Sequence, residues 1–152
     1  MKDYQRKWGP VSVDRSLNYL ALARKAGRIE LGEEPVGAAA RAQHARLVIV
    51  AQDASDHTWR RAKSFVAGTN QQCVKVPYSK DDLGMAVGRT SLAIAALTDP
   101  AMALAFLKAL GQPEVYKDAM ENLDKRTQRI LQRQKEEKAH QQNKRFGRSK
   151  RK

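Results

Sequence analysis

The chain has 152 residues, with 29 Lys and Arg against 16 Asp and Glu and a formal net charge of +13. That length suits one domain with an appendage, and the excess of cations favours polyanionic partners: RNA, DNA or an anionic membrane surface. A single cysteine, Cys73, excludes an internal disulfide and a cysteine metal cluster, and suits a reducing compartment.

The charge is unevenly placed. Residues 1–124 carry 17 Lys and Arg against 14 Asp and Glu, whereas residues 125–152 carry 12 against 2. The body is therefore close to neutral and the tail holds the field. The N-terminal stretch MKDYQRKWGPVSVD lacks the apolar core of a secretory signal. The longest apolar run, Leu92 to Leu110, is interrupted by Thr98-Asp99-Pro100 and is too short on either side to span a bilayer. A cytoplasmic location without membrane contact is expected.

Residues 1–13 read as a leader arm. From Asp14, Leu17, Leu20, Ala21 and Ala23 sit among good helix formers up to Gly27. Arg28–Leu31 suits a short strand. Gly32-Glu33-Glu34-Pro35 reads as a helix start, since acids complement the positive end of the dipole and Pro fits the first turn. The Ala-rich helix that follows runs through Ala42. Leu47–Ala51 is a continuous apolar, largely β-branched run, expected of a strand buried on both faces. Asp53, Ser55 and Asp56 are candidate caps of the next helix, in which Trp59, Ala62 and Val66 keep helical spacing. Cys73–Val76 is a short strand closed by Pro77, Lys80–Val87 a short helix, and Ser91–Leu97 a second buried strand. Asp99-Pro100 opens a helix with Met102, Ala103, Phe106, Leu107 and Leu110 on its buried stripe, and Gly111 and Pro113 end it.

Helices alternating with short apolar strands predict an α/β fold, a three-layer α/β/α sandwich over residues 14–112. Residues 113–138 have high helix propensity but sparse apolar anchors: Val115, Met120, Leu123, Ile130 and Leu131. Residues 139–152 are polar and basic and are expected to be disordered.

Catalytic and metal-binding constellations are thin. His44, His57 and His140 have no metal-ligand spacing with one another or with Cys73, and Cys73 opens a strand where a small hydrophobe serves. Gly84–Gly88 followed by Arg89-Thr90 fails as a phosphate loop: three residues intervene instead of four, and Arg replaces Lys. The acidic pairs Glu33-Glu34 and Asp81-Asp82 belong to helix starts. No enzyme, cofactor or metal site is expected. The tail differs, because ten net charges in 28 residues exceed what solubility needs. Lys144, Arg145, Arg148, Lys150 and Arg151 are its candidate phosphate contacts, sequence-blind and salt-sensitive.

The order of several segments carries a resemblance: Leu20–Gly27 (LALARKAG), Gly32-Glu33-Glu34, Ala45–Ser55 (ARLVIVAQDAS), Val76-Pro77-Tyr78, Leu83–Arg89 (LGMAVGR) and Ala95–Asp99. Together they span about ninety residues and resemble the kink-turn RNA-binding family of ribosomal proteins, the L-seven-Ae superfamily with its bacterial YlxQ-type members. The resemblance implies the same sandwich, an RNA partner (rRNA or another structured RNA) and ribosome association. It also implies a binding motif Gly-x-Asn-Glu-x-x-Lys at the second helix and a short loop before the last strand. The motif glycine falls on Gly32. The remaining motif positions carry Glu34, Pro35 and Ala38, which replace two donors and a carboxylate with a repelling acid, an imide and a methyl group. The loop falls on Arg89-Thr90-Ser91, and Arg24, Lys25 and Arg28 flank Gly32 in the sequence. Arg60 and Arg61 add charge on the third helix. The alternative is a protein–protein adaptor with this fold, tethered to RNA by its tail. A third reading, an accessory to RNA modification acting in trans, rests on similar folds in RNA methyltransferases.

Overall fold

The computed structural model describes residues 11–112 and 114–150, with side-chain surroundings for residues 15–112 and 114–141. The elements are α1 (Val11–Lys25), β1 (Ile29–Leu31), α2 (Glu33–Arg41), β2 (Leu47–Val50), α3 (Asp56–Val66) and β3 (Gln72–Lys75). They continue with α4 (Lys80–Ala86), β4 (Ile94–Leu97), α5 (Pro100–Leu110) and α6 (Lys117–Lys150).

The strands form one sheet in the order β1-β4-β2-β3. The central strands β2 and β4 are antiparallel, pairing Leu47 with Leu97 and Val50 with Ile94. β3 joins β2 in parallel and β1 joins β4 antiparallel. Every residue of β2 and β4 is buried. Successive side chains leave a strand on opposite faces, so Leu47, Ile49, Ala95 and Leu97 enter one core while Val48, Val50, Ile94 and Ala96 enter the other. The first core is closed by Leu20 of α1, Leu83 of α4, Phe106 of α5 and Leu123 of α6. The second is closed by Val36 and Ala40 of α2 and Ala62 of α3. This is the α/β/α sandwich expected from the alternation of elements.

Polar staples fix the connections. Gln71 is 3 % exposed: its Oε1 accepts from Ala45 N at 2.9 Å and its Nε2 donates to Ala40 O at 3.1 Å. One amide thus ties the α2–β2 turn to the start of β3, and both ends of its own side chain are satisfied. Ser55 caps α3, accepting from Thr58 N at 3.2 Å. Asp53, expected among the caps of that helix, instead accepts from Lys80 N at 2.8 Å and serves the start of α4. The chain turns there, and the Asp carboxylate reaches the nearer orphan donor.

Two expectations at the ends are corrected. The helix expected from Asp14 begins at Val11, so the leader arm of 1–13 is shortened and residues 1–10 lie outside the described residues. Residues 139–150, expected to be disordered, continue α6 to Lys150, and residues 151–152 lie outside the described ones. Lys, Arg, Gln, Glu and Ala are strong helix formers, and side-chain pairs such as Gln132 Nε2 to Glu136 Oε1 (3.2 Å) support the exposed turns. The first part of α6 also has anchors that the sparse Leu and Ile pattern concealed. Tyr116 is 3 % exposed and donates from its hydroxyl to Lys75 O at 3.1 Å, while Ala119 and Leu123 are buried. Leu123→Ala should therefore cost about 2–5 kcal/mol in urea unfolding of the whole chain. A change within ±0.5 kcal/mol, the range of a surface substitution, would show that α6 is not docked.

Candidate nucleic-acid interface

Gly32 sits between β1 and α2 at φ 98° and ψ 163°, a region essentially restricted to glycine. Its N–H donates to Ile94 O at 3.0 Å, which pins the entry of α2 to the start of β4. The helix dipole opens there, with Glu33 and Glu34 in the first turn. Glu33 pairs with Arg61 Nε of α3 at 2.6 Å, and Glu34 is exposed.

The loop before β4 is held against α4 by a close backbone approach. Arg89 N donates to Gly84 O at 2.7 Å. A Cβ added at Gly84 would stand 2.8 Å from both Arg89 O and Ser91 N. The glycine at this position therefore reflects packing of a loop onto a helix. Arg24, in the last turn of α1, donates from Nη1 to Val87 O. The same nitrogen lies 3.7 Å from where a Cβ on Gly88 would be. Arg89 reaches across the rim, its Nη1 4.0 Å from the corresponding point on Gly32.

Arg24, Arg89 and Gly32 are thereby gathered at one edge, and Thr90 and Ser91 are exposed beside them. Lys25 is exposed on the last turn of α1. Arg28 does not join this cluster. It precedes β1, its carbonyl accepts from Thr98 N at 2.9 Å, and Gly32 lies at the other end of the strand. Arg28 instead lines an open groove of about 520 Å³ with Glu30, Pro35, Ala38, His44 and Arg46. Lys144, Arg145, Arg148 and Lys150 lie on α6 with their side chains outside the described ones, and Arg151 is outside the described residues altogether. Arg46 was not among the residues singled out in the sequence, because an isolated Arg before a strand carries no signal of its own.

Among the described residues, no group of three or more His, Cys, Asp and Glu could hold a metal ion. Cys73 is half-buried in β3. Burial pushes its thiol up to about 12, against a smaller lowering by Lys63. The edge thus presents cations, hydroxyls and backbone on an α/β/α scaffold.

A family model described as "Ribosomal protein L7Ae/L30e/S12e/Gadd45 family" matches residues 14–106, and the chain belongs to that family. Among solved structures it is similar to a Bacillus halodurans C protein of unknown function, with 24% identity and a TM-score of 0.58, covering 63% of this chain and 96% of that one. It is also similar to the Giardia lamblia 15.5kD RNA binding protein, with 20% identity and a TM-score of 0.53, covering 64% of this chain and 83% of that one. At these identities the likeness shows the fold. No curated protein matches the chain. Among the described residues no helix is long and apolar enough to cross a membrane.

Two outcomes test the site's construction. Gly84→Ala should destabilise the chain by about 1–3 kcal/mol through overpacking and shift the amide resonances of Arg89–Ser91; unchanged resonances would show that the loop does not rest on α4. Alkylation of Cys73 by iodoacetamide near neutral pH should run roughly a thousandfold slower than for a thiol at 9.0, since the thiolate is the reacting species. Unfolding in urea should restore the ordinary rate. Equal rates folded and unfolded would contradict the buried, protonated thiol.

Proposed function

We propose that this family member is a non-catalytic RNA-binding protein of the bacterial YlxQ type, cytoplasmic and associated with rRNA or the ribosome. The observation that supports it most is the placing of Arg89 beside Gly32 and of Arg24 beside Gly88 in the same loop, with two hydroxyl side chains exposed next to Arg89. Guanidinium groups bind phosphate bidentately, and exposed hydroxyls and backbone complete a surface that follows a folded RNA. RNA binding by a fold neighbour, as its printed name states, agrees with the reading.

The mode of recognition differs from the full kink-turn motif. Glu34, Pro35 and Ala38 offer no donor to base edges or phosphate, so affinity would come from the arginines of the rim and from the basic α6. Contacts of that kind are shape- and charge-driven and strongly dependent on salt. A second reading, a protein adaptor of the same fold, draws on that same loss of donors at Glu34, Pro35 and Ala38.

The test is a titration of labelled rRNA against the full chain over a range of salt. Arg89→Gln should lower the log–log salt slope by about one, the size of one lost phosphate contact. Replacing Lys144, Arg145, Lys150 and Arg151 with Gln should lower it by a few. If the wild-type chain ignored rRNA at low salt yet retained a protein after nuclease treatment, the adaptor reading would replace this one.

A further inference from the structure

The groove beside β1 leads away from the rim. Pro35 lies at its upper end, 3.8 Å from the point where a Cβ on Gly32 would stand, and Arg28, His44, Arg46 and Thr98 lie at its lower end. Arg46 is half-buried there. Its Nε is shielded from solvent and has no acceptor among the described residues. A buried guanidinium donor left unmatched is costly, and native folds seldom leave one without a partner.

A second element brings more positive charge to the same place. The stripe of α6 that faces the domain follows the buried Tyr116, contains Ala119 and Leu123, and continues at helical spacing through Arg126 and Thr127. Arg126 is thus turned inward. Burial, and after it the charges of Arg46 and Arg129, push its guanidinium below the usual range. Arg46 at the start of β2 and Arg129 one turn along α6 thus both bear on Arg126 with like charge. Glu30 is the acid in the groove. The other unmatched buried atom, Asn122 Oδ1, is an acceptor one turn before Arg126 and does not offset the positive charge.

We propose that Arg46, Arg126 and Arg129, flanked by Arg28 and His44, form a second phosphate-binding site at the end of the sheet opposite Gly32, occupied by a backbone phosphate of the bound RNA. This deepens the RNA-binding reading and rests on it. The groove between the two sites would carry the strand from the rim to α6, and the anion would answer the charge that the half-buried Arg46 guanidinium presents to the groove. It would also relieve the repulsion that depresses Arg126. The alanines at 38, 39 and 42 leave the groove floor low enough for a sugar-phosphate chain to lie in it.

The experiment compares Arg46→Gln/Arg126→Gln with Arg89→Gln in the full chain. Inorganic pyrophosphate, as a minimal phosphate probe, should raise the melting temperature of the wild type and of Arg89→Gln, but not of the double variant. In the rRNA titration the double variant should lower the salt slope by about one to two. Should the double variant fold poorly, Arg129→Glu, at an exposed position, should abolish the pyrophosphate effect instead. An effect of pyrophosphate that survives Arg46→Gln/Arg126→Gln or Arg129→Glu, or that disappears in Arg89→Gln, would overturn the second site and leave the rim standing. If the wild type bound no rRNA, the functional reading and its extension would both fall.

Discussion

The antiparallel pairing of β2 with β4 is the constraint from which the rest of the molecule follows. Eight residues, Leu47–Val50 and Ile94–Leu97, are paired in register and shielded on both faces. A sheet with two apolar faces has to be covered twice. Four helices are committed to one face and two to the other, and no helix is free to choose. Because β4 is reached through the Val87–Ala93 loop and β1 leaves through Gly32, the same pairing also brings those two connections to one edge. The cations of the rim are positioned by strand register, and the loops only present them.

Much of this was readable in the residues. Leu47-Val48-Ile49-Val50 has no polar alternation, and only a strand covered on both sides tolerates that pattern. Asp99-Pro100 marked the start of α5, and Gly111, with φ 70°, its end. The positions of the caps were less legible. Asp53 lies two residues before Ser55, yet its carboxylate serves α4, 27 residues away. Which orphan N–H a carboxylate meets depends on how the chain folds back, and local propensity contains no such information. The docking of α6 was hidden for a related reason. Its anchors are a tyrosine and an alanine, residues that score poorly on an apolar pattern but fit the groove beside α5 and the end of β3.

The candidate site was legible in part. Glycine at position 32 could be expected from the family pattern, and the backbone shows why: no residue with a Cβ readily holds that conformation. Arg24 reaches the loop that holds Arg89, 65 residues on, because α1 and α4 share one face of the sheet. Arg28 was grouped with them by proximity in sequence, but three residues of β1 are enough to carry it to the other end of the sheet. Net charge also misled in one respect. The body's balance of +3 averages over Glu33, engaged by Arg61, and over the exposed Arg24 and Arg89 of the rim.

The length of α6 has a geometric consequence. A random coil of the tail's cations would sample a diffuse sphere around the domain. A helix of 34 residues is instead a rod of about 50 Å, and its first two turns are clamped to the core by Ala119 and Leu123. The helix axis beyond the clamp is therefore continuous with the docked turns, where a coil would turn back at any residue.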